Sequence, residues 1–368
     1  MAKKKNKSSG TRKTLIVLCV VLGIILAALV AGTVYAEYLL GKVNYIDPNA
    51  TAPTLSQEQI DELYKPDETE APEEETVEAG VEEEEPEETM PVEVIPEGEE
   101  EEEMETLPTI VVPSDEVKVF LLVGSDDGGD RAKSSTPRTD SIILCVFNKT
   151  KKEITLLSLL RDLYVKIPGY KDNRINTAYS LGGLPLLKKT IETNYGISVD
   201  GAVVIDFGNF AKLIDYVGGV EVELNAKEAK HINLYTKKKT VVKEGMNTLT
   251  GLNALLYARY RGDSAGDLNR SSRQRKVLSL MLNKYKNLSK AELLGVMDDV
   301  LPMVSTDMSK AEILGHFLNF FPMLAEAEIN SGRIPVDGGF YLTMKDGMSV
   351  IIARKQQTKE AIDAIFSD

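Results

Sequence analysis

Five arginines, Arg259, Arg261, Arg270, Arg273 and Arg275, fall within 17 positions of a chain whose 43 basic residues include only 12 arginines. A guanidinium fork grips two phosphate oxygens at once, which an ammonium point charge does not, so the clustering suits a polyanionic ligand. On a helix, Arg270 and Gln274 stand at i and i+4 with Arg273 at i+3, and that shared face could wrap one end of a phosphate group. A solvated basic face balanced by local carboxylates is the competing reading, and spacing alone does not separate the two.

Acids of the right kind lie elsewhere in the chain. Asp126 follows the apolar run that ends at Val123-Gly124-Ser125, and Asp140 stands in Pro137-Arg138-Thr139-Asp140-Ser141, directly before another apolar run. Ligands collect at the ends of strands in α/β sheets, so Asp126 and Asp140 could converge at one edge of neighbouring strands. Two carboxylates with phosphate oxygens and water suit Mg2+, and the nearby Arg138 and Arg161-Asp162 strengthen that reading over ordinary Asp-Gly turns. His231 and His316, the two histidines, have neither zinc-ligand spacing nor a neighbouring nucleophile motif, which argues against a histidine-based hydrolase.

The elements that must position these residues begin at Val117. From there apolar strands alternate with helical segments, the pattern of an α/β domain with a buried sheet. Strands are expected at Val117–Gly124, Ser141–Phe147 and Glu153–Leu160, the three adjacent and central, with further strands at Ala202–Ile205, Val220–Leu224, Glu328–Ile334 and Ser349–Ile352. Helices are expected at Asn176–Tyr195, broken near Gly182-Gly183, and at Asn209–Val217, Leu252–Tyr260, Arg273–Tyr285, Ser309–Phe321 and Thr358–Phe366.

Before this domain the chain is of a different kind. Thr14 to Ala36 is 23 residues without a charge, long enough as a helix to cross a bilayer. Basic residues precede it and acids follow it, so the tail 1–13 is expected in the cytoplasm, a transmembrane helix at 14–38, and the rest outside the cell. The alternative is a cleaved signal peptide ending at Val34-Tyr35-Ala36, but the apolar run exceeds the usual length. Between Asp67 and Glu105 stand 21 acids and no Lys or Arg, which turns the formal charge of -14 into +7 for the remainder. Residues 39–115 are read as a disordered Glu/Pro-rich stalk, too polar to offset its ordering entropy, rather than as a calcium-collecting tract. Cys19 and Cys145 lie in apolar runs and are not expected to pair. Nucleic acid is not an expected partner of Lys237-Lys238-Lys239, given the outside location and the acidic stretch.

The ordered motifs make the chain similar to the LytR-CpsA-Psr family of cell-wall glycopolymer ligases. They are Phe120-Leu121-Leu122-Val123-Gly124-Ser125-Asp126, Arg138-Thr139-Asp140-Ser141, Leu157-Ser158-Leu159-Leu160-Arg161-Asp162 and Arg174-Ile175-Asn176-Thr177-Ala178-Tyr179, then Gly218-Gly219-Val220-Glu221-Val222. The block from Leu252 through Arg259, Arg261, Asp267 and Arg270 to Gln274 completes them, within a core of 117–282. The resemblance implies an αβα sandwich with a central mixed sheet as the extracytoplasmic domain, 116–368. It implies Mg2+ on Asp126 and Asp140, and a pyrophosphate held by Arg138, Arg161, Arg174, Arg259, Arg261, Arg270 and Gln274. It further implies an acid at Asp267 beside the arginines, and a greasy tunnel for a polyprenyl chain. Two positions depart from the family pattern: Leu160 stands where Pro is usual, and Arg174 where Lys is common.

The resulting expectation is a phosphotransferase that attaches an anionic glycopolymer, of teichoic acid or capsule type, from a polyprenyl-pyrophosphate carrier to peptidoglycan. Asp126, Arg161, Asp267 and Arg270 are its expected catalytic residues. A membrane-anchored regulator that binds lipid-linked precursors and a pyrophosphate hydrolase are the alternatives.

Overall fold

The computed structural model describes residues 34–47, 114–125, 139–237, 241–262 and 266–366, together with Gly32 and Val94. Asp126 and Arg138 lie outside this set, as do the side chains of Asp140 and Asp267. In chain order a short helix, α1 (residues 34–40), leads into β1 (Asn44–Tyr45). After the acidic run come β2 (Val117–Ser125), β3 (Thr139–Asn148), β4 (Glu153–Leu159), β5 (Tyr164–Val165), β6 (Asn173–Arg174) and α2 (Ile175–Tyr195). Next are β7 (Gly201–Asp206), α3 (Phe207–Tyr216), β8 (Val220–Leu224), α4 (Ala226–Tyr235), β9 (Gly245–Leu249), α5 (Gly251–Arg259) and α6 (Gly266–Lys286). The chain continues through α7 (Lys290–Val300), β10 (Val304–Thr306), α8 (Lys310–Leu324), β11 (Glu328–Ile334), β12 (Phe340–Lys345), β13 (Met348–Ala353) and α9 (Lys355–Phe366).

Seven strands form one mixed sheet in the order β1-β10-β7-β2-β3-β4-β11. The expected central trio is adjacent, with β2 antiparallel to β3 and β3 to β4, while β7 and β11 add in parallel to β2 and β4. Alternation along β3 shows why the sheet is sandwiched. Ile142, Leu144 and Val146 pack into the core formed with α2 and α9. Ile143 and Cys145 face the opposite core, built with α3, α4, α5, α6 and α8. Cys145 is a free thiol, and burial pushes it up to about 12, so it stays protonated and acts as a small apolar side chain. The expected break in α2 is present, with Gly182 and Gly183 outside helical geometry.

Elements the sequence reading did not assign are α4, α7, β6, β9, β10 and β12. The larger difference lies at the N-terminal side. Residues 39–46, assigned from sequence to the stalk, belong to the domain: Leu39, Leu40 and Val43 are buried, and β1 pairs in parallel with β10 at the sheet edge. Two strand residues flanked by a Pro/Glu-rich tract offer no periodicity to read, and only the partner strand, more than two hundred residues later, fixes them. The acidic run thus joins two strands of one sheet, and among its described residues Val94 bridges Leu342 of β12. The expected membrane span falls outside the described residues up to Gly32, and among the described residues no helix is long and apolar enough to cross a membrane.

The start of α5, which carries Arg259, is set by Gly251. Its N–H donates to Asp215 Oδ1 at 2.7 Å, and a Cβ there would overlap the Ala211 carbonyl of α3. Gly251→Ala is therefore expected to lower the unfolding free energy by about 1–3 kcal/mol. By contrast Gly295→Ala, at an exposed position of α7 with open space around it, should raise it by about 0.5–1 kcal/mol. Urea titration of the two variants checks the pair.

Candidate lipid-pyrophosphate site

Three strand ends meet at one end of the sheet. Ser125 closes β2 opposite Thr139, which opens β3, and Asp206 closes β7 opposite Ser125. Strand β4 runs parallel to β2 and ends at Leu159, so Arg161 emerges at the same end. In sequence Asp126 directly follows the first of these strand ends but lies outside the described residues, and Asp140 lies within the second, its backbone alone described. At the start of β3 the Thr139 hydroxyl is fully buried, without a hydrogen-bond partner among the described residues. An orphaned hydroxyl between two acid-bearing strand ends fits a hard cation with oxygen ligands.

The arginines approach this end from both sides. Arg259 closes α5, exposed, with its guanidinium 4.9 Å from the Phe207 ring centroid, and Arg261 follows it, also exposed. Arg270 lies one turn into α6, only 3 % exposed. Asp162 sits between two guanidinium groups: Arg161 Nε is 3.4 Å from its Oδ2 and Arg174 Nε 3.5 Å from its Oδ1. Arg174, expected as a phosphate contact, also donates from Nε and Nη2 to the Ser349 carbonyl at 3.1 and 2.7 Å. These contacts tie it to β13 and to the carboxylate that Arg161 also meets.

Between the sheet and helices α3, α5 and α6 lies a cavity of about 240 Å³. It runs from Gly124 and Ser141 at the strand ends down to Leu122 and Ile143, with Phe210, Leu278 and Met281 opposite. Its lining is apolar except near the strand ends, where Arg259 and Gln274 join it. An apolar space whose lining includes a guanidinium and an amide matches an amphiphile with an anionic head.

Arg273 does not share the face of Gln274 expected from helix spacing. Its Nε meets Glu228 Oε1 of α4 at 2.7 Å, its Nη1 donates to the Tyr260 carbonyl at 3.2 Å, and its guanidinium lies 4.9 Å from the Tyr260 ring centroid. Glu228 does two jobs, since its Oε2 also accepts from the Asn225 N–H at 3.1 Å in the capping box that starts α4. The pair is buried on both sides, so Arg273 is structural, and no local motif announced a carboxylate 45 residues away. His231 of α4 packs on the Tyr235 and Tyr260 rings, and burial, then Arg273, holds it below its ordinary value and hence neutral near pH 7.

Two more arginines lie close together, one from the cluster and one that the sequence reading did not single out. Arg275 is 8 % exposed, contacts Ser271 Oγ at 3.4 Å and makes no ion pair among the described residues. Burial first and Arg333 second bring it down to about 10. Arg333 of β11 stands opposite Ser158, pairs with Asp337 and stacks on Phe340. Arg275 lay inside the visible cluster, whereas Arg333 is an isolated arginine in a strand and carried no signal.

The chain is an α/β sandwich around a mixed sheet, with an apolar cavity that Arg259 and Gln274 join. More particularly, the chain belongs to the LytR-CpsA-Psr family, whose model, LytR_cpsA_psr family, matches residues 82–366. The regulatory protein MsrR of Staphylococcus aureus is 32% identical over 240 residues, 64% of this chain and 71% of that protein. The polyisoprenyl-teichoic acid–peptidoglycan teichoic acid transferase TagT of Bacillus subtilis is 34% identical over 206 residues, 55% of this chain and 63% of that protein. A solved structure of TagT bound to LIIa-WTA superposes with a TM-score of 0.57 at 28% identity, covering 70% of this chain and 95% of that one. The structure of YwtF (TagT) with bound octaprenyl pyrophosphate lipid gives 0.53 at 26%, covering 70% and 93%.

Removing the Glu228 carboxylate should strand the Arg273 charge. Glu228→Ala is expected to cost about 3–5 kcal/mol of stability. Glu228→Gln keeps groups able to cap α4 and should cost less, which denaturant unfolding of the two variants checks.

Proposed function

We propose that this chain is a Mg2+-dependent, extracytoplasmic phosphotransferase that moves an anionic glycopolymer from a polyprenyl-pyrophosphate carrier onto peptidoglycan. The observation that carries the reading is the apolar cavity with Arg259 and Gln274 at its polar end. The relatives support it, since TagT is by name a teichoic acid transferase and its fold has been solved with a polyprenyl pyrophosphate.

In this reading the polyprenyl chain lies along Leu278, Met281 and Ile143, and the pyrophosphate rests among Arg161, Arg259, Arg261 and Arg270, with Arg138 from the preceding loop. A hydroxyl of the peptidoglycan attacks the sugar-linked phosphorus. The new phosphodiester forms as the bond to the bridging oxygen breaks, and polyprenyl phosphate leaves. The arginines hold the charge that builds on that oxygen, each close pair contributing on the order of 4 kcal/mol of Coulomb attraction at an effective dielectric of about 20, before desolvation. Asp126 or Asp267 takes the hydroxyl proton. Asp126 and Asp140 would hold Mg2+, which when bound supplies charge neutralisation at the phosphate oxygens. Anchored by residues 14–38, the domain works outside the cell at the membrane.

The name of MsrR favours a second reading, a regulator that binds lipid-linked precursor without turnover. Incubating the full chain with Mg2+, a polyprenyl-pyrophosphate glycan and peptidoglycan separates the readings: a new glycan–peptidoglycan linkage marks the transferase, free sugar phosphate a hydrolase, and unchanged lipid a receptor. Arg161→Ala and Arg259→Ala are each expected to lower the transfer rate by about 100-fold or more, with the fold retained by circular dichroism. A rate unchanged in Arg161→Ala excludes that residue from the reaction. Leu278→Trp, which fills the cavity away from the arginines, should weaken binding of the lipid-linked donor while leaving binding of inorganic pyrophosphate unchanged.

A further inference from the structure

The uncharged run that ends at Ala36 and the folded domain are separated by almost nothing. Within three residues of Ala36 the chain is already packed, Leu39 being 4 % and Leu40 6 % exposed, a rise of only about 5 Å along a helix. Four further ties fix this segment: Lys42 Nζ to Asp298 Oδ1 at 2.6 Å, Asn44 Nδ2 to the Pro302 carbonyl at 3.0 Å, the Ile46 N–H to the Thr306 carbonyl at 2.7 Å, and Glu37 Oε2 to Lys310 Nζ at 3.3 Å. The last tie sets α1 beside the first turn of α8. Along α8, Lys310, Leu314 and Leu318 repeat at four-residue intervals and so share a face, and Leu314 and Leu318 are 39 % and 64 % exposed. On α1, Val34, Tyr35 and Tyr38 are exposed too, and the two tyrosine rings stack with centroids 6.3 Å apart.

We propose that this face, the exposed side of α1 with the Lys310–Leu314–Leu318 flank of α8, rests on the bilayer surface and fixes the orientation of the domain. The proposal rests on the reading of residues 14–38 as a membrane anchor. The span and α1 overlap at residues 34–38, so no length of chain remains to lift the domain, and the surface beside α1 meets the lipid head groups. Tyrosines and leucines with a lysine among them are the side chains that partition to that depth. The acidic run stands in sequence between β1 and β2 of the same sheet and so does not set the height of the domain. Helix α8 crosses the sheet at the end where β2 starts: its Asn319 donates to the Asp115 carbonyl at 3.3 Å and its His316 packs on Phe120 at 5.0 Å. The arginine-lined mouth lies at the other end of this nine-residue strand, about 30 Å away. The apolar cavity then lies along the path by which a lipid tail reaches from the bilayer toward that mouth.

The test uses the full chain reconstituted in phosphatidylcholine–phosphatidylglycerol vesicles, with a polarity-sensitive fluorophore on Leu318→Cys or, for comparison, on Tyr235→Cys of α4, and quenching by head-group spin-labelled lipid. The Cys19→Ser background leaves only the buried Cys145 besides the probe site. Quenching at Leu318→Cys about threefold or more above that at Tyr235→Cys is expected, and deletion of residues 67–105 should leave it unchanged. Flotation with the vesicles but equal, weak quenching at both sites overturns the docking while the anchor stands. Loss of the Leu318→Cys signal on deleting 67–105 also overturns it, because the acidic run would then govern the placement. Failure of the chain to float overturns the anchor and the docking together.

Discussion

Arg270, Arg273 and Arg275 occupy less than two turns of α6, and each is under a tenth exposed. Withdrawing a guanidinium from water costs several kcal/mol unless a partner restores its interactions, and neighbouring like charges add to the cost. The three are accommodated differently. Arg273 is neutralised by Glu228 and framed by two tyrosines, whereas Arg275 meets, among the described residues, a serine hydroxyl and the near neighbour Arg333, which with burial weakens its hold on its proton. This uneven compensation is the constraint from which the rest follows. Helix α4 must be present to neutralise one arginine, and the sheet must shelter the others.

The scaffold meets that demand through the sheet. Antiparallel and parallel neighbours bring β2, β3, β4 and β7 to a common end, so residues distant in sequence arrive there without any long-range loop. Alternation in β3 divides its apolar residues between two cores, and the core beneath α5 and α6 is the one left partly open as the cavity. The same helices that fill that core carry Arg259 and Gln274 at its mouth. Packing and polar recognition are thereby made by successive turns of the same two helices.

Much of this was legible in the sequence because it is local. The central strands read correctly because their apolar runs are bounded by Gly, Asp and Asn-Lys turns, and the kink of α2 was written in Gly182-Gly183. The ends of these strands and the helix that carries the clustered arginines were legible too, because strands and helices follow simple periods. Partnerships across the chain were not legible. Helical spacing put Arg273 with Gln274, but a carboxylate on α4 drew it away. Arg174 looked like a phosphate ligand, and its contacts with Asp162 and the Ser349 carbonyl depend on a hairpin formed far downstream. Strand β1 was hidden for the same reason, since two residues acquire a conformation only from the strand they pair with.

The place of β1 has a practical side. It covers the outer backbone edge of β10, and α1 with Val43 covers apolar surface beneath. A soluble fragment cut to begin at Val117 sheds both, leaving donors and acceptors of β10 open to strand addition from another copy. The self-association of such a truncated domain would then belong to the missing cover, and the intact polypeptide would not share it.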